Sequence, residues 1–281
     1  MQISWRRFRP QHASRLPVGQ VFEDAQVIVA QHTPPKERLG RHDIHILDDA
    51  IRSLEQRGIS ERLPSVLLAS LVLQSPRAVV AQRKMDKFHH GFHDKQNRLD
   101  ELIEFNDAYV SLIIMLDDTA RLIANDEIKH LMDEFCRRMK SPPFSPEQWE
   151  AITHGLSREI AVFLSARELG YQAMMTSRRA DAMGVDMVIT DPHSRRHLNV
   201  DIKTRSSFHF RLEDLRREGR ISEMQREAAE HAGYCMVVNG HGDGAVHTTL
   251  LRIDEETYGR VINFRLERPE VLGDLFEQIV R

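Results

Sequence analysis

The chain has 281 residues, 29% charged and 41% hydrophobic, with a formal net charge of -3. That composition fits a folded globular protein of one large or two ordinary domains, and it excludes a disordered chain and a polycation. Cys136 and Cys235 are the only cysteines, too few for a disulfide framework or a zinc cluster, and no run of apolar residues approaches the ~18 that a membrane span needs.

The N-terminal stretch "MQISWRRFRP" carries Arg6, Arg7 and Arg9 with Trp5 and Phe8 interleaved, and Arg15 follows with no acidic residue before position 20. It lacks the apolar stretch of a signal peptide, so a reducing cytoplasm is the expected compartment. Residues 1–40 read as irregular, with one strand predicted at "QVIVA". The periods then become helical. "DIHILDDAIRSLEQRG" opens on an acidic first turn and is predicted to end at Gly58 as its C-terminal cap. "RLPSVLLASLVLQ" predicts a strongly apolar helix, "RLDELIEFNDAYVSLIIMLDDTARLI" one long amphipathic helix, and "DEIKHLMDEFCRRMK" another, with Cys136 as a core residue. Residues 1–140 therefore read as a mainly helical N-terminal domain, all-helical from about residue 43. "HHGFHD", with His89, His90, His93 and Asp94, is a candidate transition-metal cluster, but its place between helices favours a polar turn.

"SPPFSPEQ" breaks the pattern and restarts it, with Ser145 as N-cap and Pro146 at the first helical position. The domain boundary is placed there, near residues 140–146, with a second domain over 145–281. A helix runs to Gly170. Three strands follow, "YQAMMTS", "VDMVITD" and "LNVDIKT", then a helix near 221–232, the strands "YCMVVN" and "VHTTLLRI", and the C-terminal helix "RPEVLGDLFEQIV". The order αβββαβ predicts an α/β domain, a mixed sheet flanked by helices. Gly240, Gly242 and Gly244 resemble a phosphate loop only superficially, because a strand rather than a helix comes next; a hairpin loop is the reading.

Asp186 and Asp201 each interrupt an apolar strand, and burying an unpaired charge is expensive. Strand alternation puts Leu198, Val200, Ile202 and Thr204 on one face and Asn199, Asp201 and Lys203 on the other. If the two strands pair across "DPHSRRH", the aspartates approach each other. In the preceding helix Trp149, Ile152, Leu156, Ile160 and Phe163 form a stripe, and Glu159 lies at its edge, turned toward the sheet. Three converging carboxylates need a cation, and oxygen donors favour a hard divalent ion such as Mg²⁺, with Mn²⁺ as substitute. Lys203 beside such an ion would contact a phosphate oxygen or help to orient and deprotonate water. Residues 203–220 hold Lys203, Arg205, Arg211, Arg216, Arg217 and Arg220 against Glu213, Asp214 and Glu218, a local basic segment suited to a polyanion.

An acidic helix ending at Gly-Tyr, a strand-borne Asp and an Asp-x-Lys strand, in the order "GLSREIAVFLSARELGY…GVDMVITD…LNVDIKTR", resemble the PD-(D/E)xK nuclease superfamily, the restriction-endonuclease-like fold. The likeness is nearest to the branch of archaeal Holliday-junction resolvases and restriction nucleases, and covers about residues 147–240. It implies Mg²⁺-dependent cleavage of nucleic acid, usually DNA, with Glu159 matching the helix acid, Asp186 the motif Asp, Asp201 the (D/E) position and Lys203 the lysine. Val185 stands where the family often has proline, and Asp201 has a shorter reach than Glu. Gln225 is the candidate for an auxiliary glutamine on the next helix, and Arg205, Arg211, Arg216 and Arg217 are the expected nucleic-acid contacts. The function expected is a nuclease in restriction, phage defence or DNA repair, with the helical domain serving recognition, homo-oligomerisation or an accessory protein, and no membrane. The alternatives are an effector or toxin nuclease switched on by a partner, and a nucleic-acid-binding scaffold with a residual site.

Overall fold

A computed structural model describes residues 18–33, 46–86, 100–176, 184–239 and 246–280. The basic arm around Arg6, Arg7, Arg9 and Arg15, the "HHGFHD" histidines and the glycines 240, 242 and 244 lie outside the described residues. The chain divides into two compact units, one ending at Thr153 and the other beginning at His154.

The first unit is helical: α1 (Val18–His32), α2 (Asp48–Ser60), α3 (Pro64–Asp86), α4 (Asp100–Met115), α5 (Asp118–Arg138) and the start of α6 (Pro146–Glu168). Helix α3 is the centre and packs on α1, α2, α4 and α5. It is long and apolar enough to cross a membrane, but 78% of that stretch is buried inside the structure, as the core helix of a bundle is. It also runs past its expected end at Gln74 and through Pro76. A proline leaves the carbonyl four residues back without its helical donor. That carbonyl is Val72 O, and the Ser75 hydroxyl donates to it at 2.7 Å.

Three other expectations for this unit are corrected. "QVIVA" is part of α1, whose buried residues Val21, Phe22, Ala25 and Val29 keep helical spacing. Gly58 lies inside α2, which runs on to Ser60; a Cβ there would stand 2.8 Å from Leu67 N, so the glycine serves the close approach of α2 and α3 rather than a cap. The long helix predicted over 98–123 breaks at Leu116–Asp117. Asp117 caps α5 by accepting from Ala120 N–H at 2.9 Å, and buried Arg121 donates from Nε to Ile113 O at 2.9 Å, satisfying the end of α4.

Ser145 caps α6 as expected, in a reciprocal box with Gln148 (Gln148 N to Ser145 Oγ 3.2 Å, Ser145 N to Gln148 Oε1 2.9 Å). The proline-rich stretch before it belongs to the helical unit for a physical reason. Phe144 packs on Phe105 (ring centroids 5.5 Å) and Trp149 edge-on to Tyr109 (5.8 Å), which carries the division past residues 141–146 into α6 itself.

The second unit contains a five-stranded mixed sheet of β1 (Gln172–Met175), β2 (Met187–Thr190), β3 (His197–Lys203), β4 (Tyr234–Asn239) and β5 (Val246–Arg252) in the order β1-β2-β3-β5-β4. Among the described strands of this sheet, β3 and β5 pair in parallel and the others antiparallel. Gly170, with φ +92°, ends α6 where the Gly-Tyr expectation places it. Helices α7 (Arg205–Arg217) and α8 (Glu223–Ala232) cover one face of the sheet, through Phe208, Leu212, Leu215, Ile221 and Ala229 on Val237 and Leu250. Helix α7 is absent from the sequence reading, which treats 203–220 as a charged segment. A one-turn helix α9 (Glu255–Tyr258), a short hairpin of β6 (Val261–Ile262) and β7 (Arg265–Leu266), and α10 (Pro269–Val280) complete the unit.

Candidate functional site

The site is built on β3, the middle strand. Its alternation turns Asp201 and Lys203 to the face that carries α7 and α8, opposite to Val200 and Ile202. Strand β2 pairs antiparallel with β3, Met187 opposite Val200 as the last pair of the register, so Asp186 lies just beyond that pair, toward the Asp201 end of β3. Asp186 N–H donates to Val200 O at 2.9 Å. The regular ladder then ends, and the Asp186 carboxylate replaces it: Oδ2 accepts the Ile202 N–H at 2.6 Å. Both aspartates are buried, Asp201 at 4% exposure and Asp186 at 8%.

Lys203 Nζ contacts Asp201 Oδ1 directly and approaches Ile202 O at 3.3 Å. Burial pushes the Asp201 carboxyl up, to about 7; the charge and contact of Lys203 pull it down, Asp186 raises it further, and Arg211 lowers it. Burial works against the Lys203 ammonium, yet Asp186, Asp201 and Glu159 together hold it above its usual value. The groups titrate as one cluster. With Lys203 charged at ordinary pH, Asp201 is the group that takes up a proton as pH falls through about 7.

Helix α6 supplies Glu159, half-buried, whose charge acts on Lys203. Its neighbour Arg158 is buried and donates from Nε to Ile253 O at 3.2 Å, while Ile253 N–H donates to Lys203 O at 2.9 Å. Arg158 thus ties α6 to the end of β3 and sets Glu159 beside Lys203. The helix's own period does not single Arg158 out: at 100° per residue it falls opposite the stripe of Trp149, Leu156 and Ile160, and its burial comes from tertiary packing.

Among the described residues no three His, Cys, Asp or Glu side chains are gathered to hold a metal ion. The expected set of Glu159, Asp186 and Asp201 is therefore not a three-carboxylate cage. Asp186 Oδ2 is committed to Ile202 N–H and Asp201 Oδ1 to Lys203. The two aspartates do fit a hard divalent ion, since magnesium takes one or two carboxylates with water and phosphate oxygens. Their burial together makes it costly to keep both carboxylates charged, a cost that such an ion would offset.

Comparison of the chain with protein-family models, curated proteins and solved structures finds no match.

The expected arginines are not equivalent. Arg205 pairs with Glu256 at 2.7 Å, Arg216 with Glu213 at 3.0 Å and Glu223 at 3.3 Å, and Arg217 with Asp214 at 3.5 Å. Arg211 has a looser contact, 3.9 Å to Glu218, and is the one of the four whose charge bears on Asp201. The Gln225 side chain is engaged at the start of its own helix. Gln225 is the third residue of α8, and its side chain accepts from Ser222 N–H at 2.8 Å in a capping box.

Proposed function

We propose that the second unit hydrolyses phosphodiester bonds with a bound divalent ion, and that its substrate is DNA. The observation that carries this reading is Asp186, bonded to the Ile202 N–H and close enough to Asp201 for its charge to raise that carboxyl, with Lys203 in contact with Asp201 and both aspartates buried. Buried charges held in a cluster with a carboxyl moved to about 7 are more costly than a core needs, and such shifts concentrate at functional sites. Bound at Asp186 and Asp201, Mg²⁺ or Mn²⁺ would supply Lewis acidity and an activated water.

The chain's own groups have separate tasks. Asp186 and Asp201 would hold the ion. Lys203 is kept charged by three carboxylates, so it acts as a donor to a phosphate oxygen and not as a base. Arg211, with its weak carboxylate contact, adds a second cation on the same side of the sheet. Glu159 keeps Lys203 charged.

A second reading has its own observation. Lys203 already neutralises Asp201, and Asp186 already caps Ile202, so the cluster is satisfied without an ion. That fits a nucleic-acid-binding scaffold that does not cut. Incubation of the full chain with plasmid, linear, branched and single-stranded DNA in Mg²⁺, Mn²⁺ or EDTA separates the two. Cleavage with metal, none in EDTA, and loss of cleavage in Lys203→Ala and Asp201→Ala support the nuclease. Binding of DNA without cleavage under every condition supports the scaffold, and wild-type cutting by Lys203→Ala removes this site from the chemistry.

A further inference from the structure

Asn239 is the last residue of β4, and its side chain is buried at 7% exposure. Its amide oxygen accepts from Arg220 Nη2 at 3.1 Å. A guanidinium has donors only, so this contact decides which end of the amide is oxygen and which is nitrogen. The nitrogen is directed to Gly184, donating to its carbonyl at 3.5 Å. Arg220 is itself anchored, on the Val238 carbonyl and through Nη1 on Glu218 at 3.1 Å. A chain of contacts therefore runs from the α7–α8 connection across the end of β4 to the residues that lead into β2.

Gly184 is where that chain meets the site. Its φ is +79°, in the left-handed region, and a Cβ built on it would stand 3.3 Å from Asn239 Nδ2 and 3.3 Å from Asp201 Oδ2. The amide nitrogen and the second carboxylate oxygen of Asp201 thus converge on one side of a single Cα. The other oxygen, Oδ1, is the one in contact with Lys203. One amide hydrogen serves Gly184 O, and the amide carries a second.

We propose that Asn239 is a positioning residue for Asp201: oriented by Arg220, it gives its second amide hydrogen to Asp201 Oδ2 and fixes the plane of the carboxylate. The inference rests on the nuclease reading above. With Lys203 on one oxygen and the Asn239 amide hydrogen on the other, rotation of the carboxylate would be restrained and its remaining lone pairs would face a set direction. Gly184 is needed because any side chain there would separate amide from carboxylate. Groups that orient a metal ligand in this way change metal affinity or activity by about 10–100-fold when removed.

The test is Mn²⁺ binding to the full chain by titration calorimetry, with thermal unfolding of the metal-free protein and cleavage kinetics alongside. Asn239→Leu should bind Mn²⁺ at least ~10-fold more weakly than wild type and lower kcat while leaving KM for DNA unchanged. Should Asn239→Leu fail to fold, Asn239→Ser, which is too short to reach Asp201, should show the same loss. Gly184→Ala should weaken Mn²⁺ binding from the opposite side. A folded Asn239 variant with wild-type Mn²⁺ affinity and kcat overturns the positioning role and leaves the nuclease reading standing. A wild-type protein that binds no Mn²⁺ and cuts no DNA overturns both.

Discussion

Raising the pH in the absence of divalent ions should weaken the second unit, and Asp201 is the residue responsible. Its carboxyl lies at about 7 in the folded protein against 3.8 for the free group, chiefly because it is buried. A folded-state value above the unfolded one means that the native protein holds the extra proton between these limits. The stabilising contribution is therefore complete below the unfolded value and is lost as pH rises through about 7. Proton linkage from pH 5 to pH 8 makes the loss on the order of 2–3 kcal/mol. That is a sizeable part of the ~5–15 kcal/mol that usually holds a domain together. Lys203, shifted upward from 10.5, stays charged in both states over this range and adds no slope. Asp191 and Asp254 are held below 3.8, so their contributions are present throughout the window and fail only in stronger acid. Urea unfolding of the full chain in EDTA at pH 5, 6, 7 and 8 measures the slope. Asp201→Asn should flatten it, and added Mg²⁺ should flatten it in wild type by mass action. Equal losses from pH 5 to pH 8 in wild type and Asp201→Asn would refute the assignment of the shift to this residue.

Three further outcomes follow from particular contacts. Gly58→Ala puts a Cβ 2.8 Å from Leu67 N, and it should lower the stability of the helical unit by about 1–3 kcal/mol in thermal unfolding; an unchanged midpoint would mean that α2 and α3 do not approach so closely. Ser75→Ala leaves Val72 O without the hydroxyl that replaces the missing Pro76 donor, at a cost of about 1–3 kcal/mol, whereas Ser75→Thr should retain most of the stability. In DNA titrations by fluorescence anisotropy at several salt concentrations, Arg211→Ala should lower the salt slope by about 1, while Arg216→Ala with Arg217→Ala should leave it unchanged, since both side chains are already paired on the protein. The reverse pattern would move the DNA path to the outer side of α7.

Elements whose identity depends on their own period were legible in the sequence. Strands β1 to β5, helices α6, α8 and α10, and the Ser145 cap all follow from local alternation or capping chemistry. The misreadings share a different cause, which is that a partner distant in sequence decided the matter. "QVIVA" is rich in β-branched residues, but Val21, Phe22, Ala25 and Val29 find a helical face to bury. Gly58 looks like a cap until Leu67 is known to lie against it. Helix α3 continues through Pro76 because Ser75 repairs the break. Helix α7 was hidden by its charge, though Thr204 at its N-cap and Phe208, Leu212 and Leu215 at helical spacing were there to be read.

The same distinction runs through the site. Asp201 and Lys203 share a face by alternation alone, and a short turn between β2 and β3 suffices to bring Asp186 to the end of the ladder near Asp201. What alternation leaves open is how many of the charges satisfy one another. Glu159 and Asp186 both appear as carboxylates aimed at one point, yet Asp186 caps a backbone N–H and Glu159 acts on Lys203. Arg216 and Gln225 have the residue types that a nuclease would use, and both are occupied within α7 and α8 by neighbours three residues away. A short-range partner competes with a ligand at almost no entropic cost, because the helix has already set the geometry. Arg211 is the exception among the four arginines: its Glu218 contact stretches to 3.9 Å and its charge reaches Asp201 across the sheet face. A cation so placed, left with a weak partner beside a buried acidic pair, is the group with most to gain from a phosphate, and that asymmetry is what the salt titration of Arg211→Ala against Arg216→Ala with Arg217→Ala reads out.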